Sequence, residues 1–237
     1  MEEPGTDLTP QTNIVSVPFR VSGPRVNWYS HVTGDPNPLH LNPTTPVAQA
    51  FLLELLLNQL VTKMHKDALR GRLCERIEST FNNPVIADTD YAVHIGFDGS
   101  NYTARIESPG ILHVQSEFLY APNLCQDDVK LQSDMTTCIK PNVVYPSSWV
   151  AVGLASKAIA EQVTKEIPAG KTAVFTRHRI HFYRDATQNL NGQSIALSRI
   201  VKKKGTNGYT CTVVASTETG VIYNLNASLL KIPLVKT

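Results

Sequence analysis

Asp35 and His40 stand five positions apart in the stretch "HVTGDPNPLH", residues 31–40, directly before an almost wholly apolar run. A carboxylate and an imidazole are side chains that take up and hand on protons near neutral pH. Gly34, Pro36, Asn37 and Pro38 around them are turn formers, which at this density ordinarily mark a surface loop. An Asp and a His held at the mouth of a buried helix are not needed for a surface loop; they are what a general acid–base site requires. Gly34 permits a tight turn, and the two prolines stiffen the loop, so the pair is preorganised. His31 sits one face away and reads as structural.

The elements that must position this loop follow from the hydrophobic pattern. "IVSVPFRVS" alternates well enough for a strand. A turn-rich stretch continues from there through Pro46. "PVAQAFLLELLLNQLVTKMHKDALRG" then reads as one helix, opened by Pro46 and stopped by Lys, Arg and Gly71. Its first half is apolar on nearly every side, so Phe51 to Leu57 belong to a core. Four strands follow: "LCERIESTF", "TDYAVHIGF", "NYTARIES" and "ILHVQSEFLY".

The order then repeats. Residues 121–144 are polar and bounded by prolines, and read as a linker with one short helix. "SSWVAVGLASKAIAEQVTKEI" is a second helix, and "AVFTRHRIHFYR", "QSIALSRIVKKK", "YTCTVVASTE" and "VIYNLNASLLKI" are four more strands. "RIESTFNNPVIADTDYAV" in the first half parallels "HRIHFYRDATQNLNGQSIAL" in the second. One long helix wrapped by an antiparallel sheet, twice over, is an α+β architecture. The expected organisation is a first unit over 1–120, a linker over 121–144 and a second unit over 145–237.

Composition removes several classes. The 237 residues carry a net charge of +2, with no dense Arg/Lys stripe, so a nucleic-acid partner is not expected. "AFLLELLLNQL" is about half a membrane span and contains Glu54, and the acidic start "MEEPGTDLTP" is unlike a signal peptide. A cytoplasmic protein without a membrane partner is the expectation. Cys74, Cys125, Cys138 and Cys211 are too far apart in sequence for a zinc knuckle or a redox pair, and read as free thiols. His178 and His181, three apart on a strand, point to opposite faces, so no metal site is expected. Phosphate loops and dinucleotide glycine patterns are missing, and no cofactor is expected.

The run from Tyr29 through Gly34-Asp35-Pro36-Asn37-Pro38-Leu39-His40 resembles the signature of the MaoC-like (R)-specific enoyl-thioester hydratases and 3-hydroxyacyl dehydratases. That signature is an aromatic residue, a small residue, then Gly-Asp-x-Asn-Pro-aliphatic-His. The resemblance implies a hotdog fold, and the repeat implies two hotdog units in one chain. The motif is confined to the first unit, so one active site per chain is expected. An arbitrary Asp/His pair would ordinarily be an Asx turn and a satisfied histidine; the complete pattern points instead to a site.

The implied reaction is addition of water across the C2=C3 bond of an enoyl thioester, or its reverse. Asp35 and His40 would hold the water between them. Tyr29, Asn37, Gln49 and Ala50 would form the substrate side, with Asn37 tying the loop together by hydrogen bonds. The thioester oxygen would be met by the free Ala50 N–H at the positive end of the buried helix. The family's Pro-aliphatic-Ala-His-Gly segment stands here as Pro46-Val47-Ala48-Gln49-Ala50, so Ala50 replaces the glycine and Gln49 the histidine. The spacer before Pro46 is several residues shorter than usual, and Asn42 stands where an acid is frequent.

Those departures keep two other classes open. A hotdog thioesterase would aim the same water at C1. A non-hydrolytic protein would bind, or steer the cyclisation of, an acyl or polyketide intermediate. The substrate is an acyl-CoA or an acyl-carrier-protein thioester. The basic runs Arg177–Arg184 and Lys202–Lys204 are either a solvated strand face and a hairpin end or a docking patch for the carrier. Trp149 would close a second-unit pocket or line the acyl tunnel. Double units often pair, so a homodimer is the expected assembly.

Overall fold

The computed structural model describes residues 14–124, 135–139, 148–163, 167–185 and 195–234. Strand β1 (Val15–Phe19) leads into helix α1 (Gly23–Thr33) and then helix α2 (Ala50–Met64). Four strands follow, β2 (Leu73–Phe81), β3 (Tyr91–Phe97), β4 (Tyr102–Ser108) and β5 (Ile111–Ala121). Strand β6 (Met135–Ile139) and helix α3 (Ser148–Val163) open the second half. It ends with β7 (Lys171–Phe182), β8 (Ile195–Lys204), β9 (Gly208–Thr217) and β10 (Gly220–Pro233).

All ten strands form one antiparallel sheet in the order β1-β3-β4-β5-β2-β7-β10-β9-β8-β6. Read outward from the central β2–β7 junction, each half runs through the corresponding strands in the same order. At that junction Ile77 faces Ile180, and both are fully buried. Helix α2 packs on β2, β4 and β5, α3 packs on β8, β9 and β10, and the helices touch each other. One contiguous apolar core runs through both halves. Phe51, Leu52, Leu57 and Val61 are fully buried on α2, each worth roughly 1.5–3 kcal/mol of burial. The topology fits two repeats of one helix and its strands.

Three local expectations change. The stretch between β1 and Pro46 contains α1, not turns throughout. Pro24 presets the first helical turn, and Asp88, from the distant β2–β3 connection, accepts the Gly23 N–H at 3.0 Å. That cap lies 65 residues away and leaves no local signal. The helix expected to reach Gly71 ends at Met64, and residues 65–71 continue as turns. Within 121–144, Met135–Ile139 form strand β6 against β8 where a short helix was expected. β6 occupies the outer edge of its half, as β1 does in the other. Residues 125–134 and 140–144 lie outside the described residues.

Cys74 and Cys211 are buried free thiols. Burial pushes the Cys211 thiol up to about 12, and burial beside Glu54 and Glu75 pushes Cys74 well up also. Thiolate is the reactive form, so both should resist iodoacetamide at about pH 8 in the folded protein and react after denaturation. Peptide mass mapping checks this, and native-state labelling of Cys211 would contradict the burial. Cys125 and the Cys138 side chain lie outside the described residues.

Candidate active site

The loop that carries Asp35 and His40 begins at the C-terminus of α1. Gly34 adopts the left-handed conformation at φ 65°, and the Gly34 and Asp35 N–H groups both return to the Ser30 carbonyl. Asp35 is therefore the first residue past a closed helix end, and its direction is set by that turn. The Lys157 stem from α3 lies across Gly34, 3.1 Å from where a Cβ would stand. The position thus excludes larger residues by both conformation and space.

The loop is then fixed by its own side chains. Asp35 Oδ1 accepts the Asn37 N–H at 3.0 Å, and Asn37 Oδ1 accepts the Leu39 N–H at 3.1 Å. Asn37 Nδ2 donates to the Ala173 carbonyl at 3.1 Å, and the Thr172 hydroxyl donates to Asn37 Oδ1 at 3.2 Å. Asn37 thus bonds the loop both to itself and to β7 of the second half.

His40 Nδ1 lies 2.6 Å from the Val47 carbonyl. A carbonyl only accepts, so Nδ1 carries a proton, and in the neutral ring the lone pair stands on Nε2. Nε2 lies 3.7 Å from Asp35 Oδ2, and both side chains are buried. That gap is long for a direct bond and leaves room for a water about 2.8 Å from each. Val47 itself is held by its N–H on the Leu39 carbonyl, at 2.9 Å, so loop and helix approach form one closed hydrogen-bonded unit.

Asp35, His40 and Ala50 line a cavity of about 400 Å³ between the halves. Ala50 is the first residue of α2, and its N–H is one of the four that a helix leaves without an internal partner. The far walls are apolar: Ile159, Ala160 and Val163 from α3, Val174 and Phe175 from β7, Leu229 and Ile232 from β10. One cleft thus joins a carboxylate–imidazole pair and a helix N-terminus to a greasy chamber, the usual make-up of a small-molecule site.

Among the predicted residues, Asp35, His40, Asn37, Gln49 and Ala50 all reach the cavity wall. The Gln49 amide, however, turns toward α1: Nε2 donates to the Val26 carbonyl at 3.1 Å and also bonds the Ser30 hydroxyl. Gln49 therefore staples the start of α2 to α1. Tyr29 is not brought to the cavity. Its ring is buried beside Gly153 of α3, and burial, with Glu54 and Asp35 adding, holds its phenol protonated well above the ordinary range. The aromatic position of the motif is thus a packing residue between α1 and α3.

The other histidines lie apart from this cluster. His31 is exposed on the last turn of α1. His94 lies 3.7 Å from Glu107, and His113 bridges Ser108 and the Pro84 carbonyl, at 2.8 Å each. Arg76, Arg177 and Arg179 gather round Glu78 across the β2–β7 junction. No group of His, Cys, Asp or Glu suited to a metal occurs among the described residues. No helix among them is long and apolar enough to cross a membrane. The Trp149 side chain lies outside the described residues.

Two groups of contributors escaped the sequence reading: β7, which holds Asn37, and the α3 and β10 residues that line the cavity, Ser156 among them. Both come from more than 100 residues beyond the loop, and nothing near the motif signals them.

No protein-family model matches the chain, and no curated protein matches it. Solved structures do. A structure described as a MaoC-like dehydratase superposes with a TM-score of 0.63 at 11% identity, covering 92% of this chain and 97% of the other. A GphF dehydratase variant gives 0.61 at 8% identity, over 95% and 96%. A 12:0-ACP thioesterase from Umbellularia californica gives 0.60 at 10% identity, over 92% and 94%. At such identities the likeness establishes the fold, which is the hotdog fold.

Proposed function

We propose that the chain is a hydro-lyase, adding water to the C2=C3 bond of an enoyl thioester or removing it from an (R)-3-hydroxyacyl thioester. The observation that carries this reading is the His40 tautomer. With Nδ1–H committed to Val47, Nε2 is the free base, and Asp35 Oδ2 stands 3.7 Å away inside the same cavity. Water between them loses a proton to one group while the other orients it, and the α carbon receives a proton in turn. The Ala50 N–H, at the positive end of α2, meets the thioester oxygen as charge develops there. The acyl chain lies along the apolar α3, β7 and β10 walls, with coenzyme A or a carrier protein outside.

A second reading, a thioesterase, draws support from the thioesterase among the similar structures. The same water would attack C1. Mass spectrometry of the protein with crotonyl-CoA and longer 2-enoyl-CoA separates the two. A gain of one water, lost in Asp35→Asn, supports the lyase. Free coenzyme A supports the thioesterase. Tight binding without conversion supports a non-catalytic acyl-binding protein.

The walls predict how chain length is read. Ala160 stands on the α3 wall, where its small side chain leaves space. Ala160→Phe should fill that space and leave crotonyl-CoA turnover within about threefold. It should lower kcat/KM for an eight-carbon substrate by roughly tenfold or more, since each buried methylene is worth about 0.8 kcal/mol. Equal losses on both substrates would mean that the chain lies elsewhere.

A further inference from the structure

Glu54 and His178 are fully buried, and the reaction proposed above uses neither. Glu54 is the only acid on α2, and His178 lies on β7. His178 Nδ1 stands 3.3 and 3.2 Å from the two Glu54 carboxylate oxygens and donates between them. The imidazole stacks on Phe51 at 4.4 Å, and the rings of Phe81 and Phe175 meet it edge-on at 5.0 and 4.4 Å. Phe81 and Phe175 line the cavity, whereas Glu54 and His178 do not. The pair thus stands behind the aromatic wall and touches no substrate.

Stability alone gives little reason for such a pair. Desolvating a carboxylate costs several kcal/mol, and apolar residues of similar volume are often as stable or more so. A carboxylate–imidazole bond adds direction: it fixes one turn of α2 against one position of β7.

Both elements hold the site. β7 grips the loop at its start, where Thr172 and Ala173 bond Asn37. Further along the same strand, His178 grips Glu54. Ala50 lies one helical turn before Glu54, and Val47, whose carbonyl orients His40, lies just before that. One strand thus spaces the dyad loop from the helix N-terminus.

We propose that Glu54 and His178 are positioning residues that set the start of α2, with the Val47 carbonyl and the Ala50 N–H, against the Asp35–His40 loop. The proposal rests on reading this site as one that adds water to an enoyl thioester. Misplacing reacting groups by about 1 Å costs on the order of 100-fold in rate.

The test is the double variant Glu54→Met/His178→Leu, which keeps the volume apolar, beside Glu54→Gln, which keeps an acceptor for Nδ1–H. We expect the double variant to fold and to lose kcat about 30- to 100-fold, with KM changed less than about threefold. Glu54→Gln should retain most of kcat. Wild-type kcat in the folded double variant would overturn the proposal. Should the double variant fail to fold, Glu54→Asp, one methylene short, must lose kcat where Glu54→Gln does not; equal rates would overturn it. Nitrogen NMR of His40 reads the same geometry without turnover. A single Nδ1–H tautomer in wild type should become mixed in the double variant, or in Glu54→Asp if the double variant does not fold, and an unchanged tautomer overturns the proposal. If wild type hydrates no enoyl thioester, the reaction assignment fails while this spectrum still decides the positioning role.

Discussion

For the water addition proposed above, His40→Ala is expected to lower the rate by about a thousandfold and to leave the fold in place. General acid–base groups contribute roughly 100- to 10,000-fold. The imidazole is the group whose Nε2 faces Asp35, so its removal takes away the proposed proton acceptor and one of the two proposed anchors for a water. The lost ring also strands the Val47 carbonyl, but the Val47 N–H bond to Leu39 remains, so the loop keeps its closure. Asp35→Asn is the cleaner partner experiment. Its amide oxygen can still accept the Asn37 N–H, so the turn persists while the carboxylate is gone. Both variants should show unchanged circular dichroism and melting within about 3 °C of wild type. Steady-state hydration of 2-enoyl-CoA measures the rates. Near-wild-type turnover in both would remove this loop from the chemistry.

The second large effect is structural. Gly153 of α3 meets α1 so closely that a Cβ there would clash with Thr33 Cγ2 and stand 2.7 Å from the Tyr29 hydroxyl. Gly153→Val must therefore push α1 and α3 apart. Overpacking of this kind costs about 1–3 kcal/mol, and for a chain of this size each kcal/mol lowers Tm by roughly 2–4 °C. A fall of about 5–10 °C is expected by calorimetry. Activity should fall by more than stability explains, because Thr33 is followed at once by Gly34 and Asp35. Hydration assayed well below the new Tm separates the two effects. A variant with wild-type Tm and rate would mean that the α1–α3 contact is looser than its geometry.

The strands were legible because their two-residue alternation survives on half-buried faces, as in Ile77–Ser79 of β2 or Ile106 and Ala104 of β4. Helix α2 was legible from its apolar mass. Helix α1 was not: its face is polar and mixed, and its cap comes from Asp88 across the fold. The Asp35–His40 loop was legible because its candidate acid–base pair and its turn formers are compressed into ten residues. The other side of the site was not. Asn37 was visible, but not its partners Thr172 and Ala173; Glu54 stood out only as a charge against a membrane span, and its partner His178 lies 124 residues away. Contacts made between the halves leave no spacing to read in either one.

The central junction of β2 and β7 has an evolutionary consequence. In a sheet assembled from two identical chains, every substitution enters twice, once beside each site, and must suit both surroundings. Here the two flanks of the sheet are encoded separately. A change at Leu229 or Ile232 alters one chamber wall and has no obligatory twin beside β5. The flank that lacks the Asp35–His40 pair is thus free to be reshaped around the cavity while the residues of that pair stay untouched.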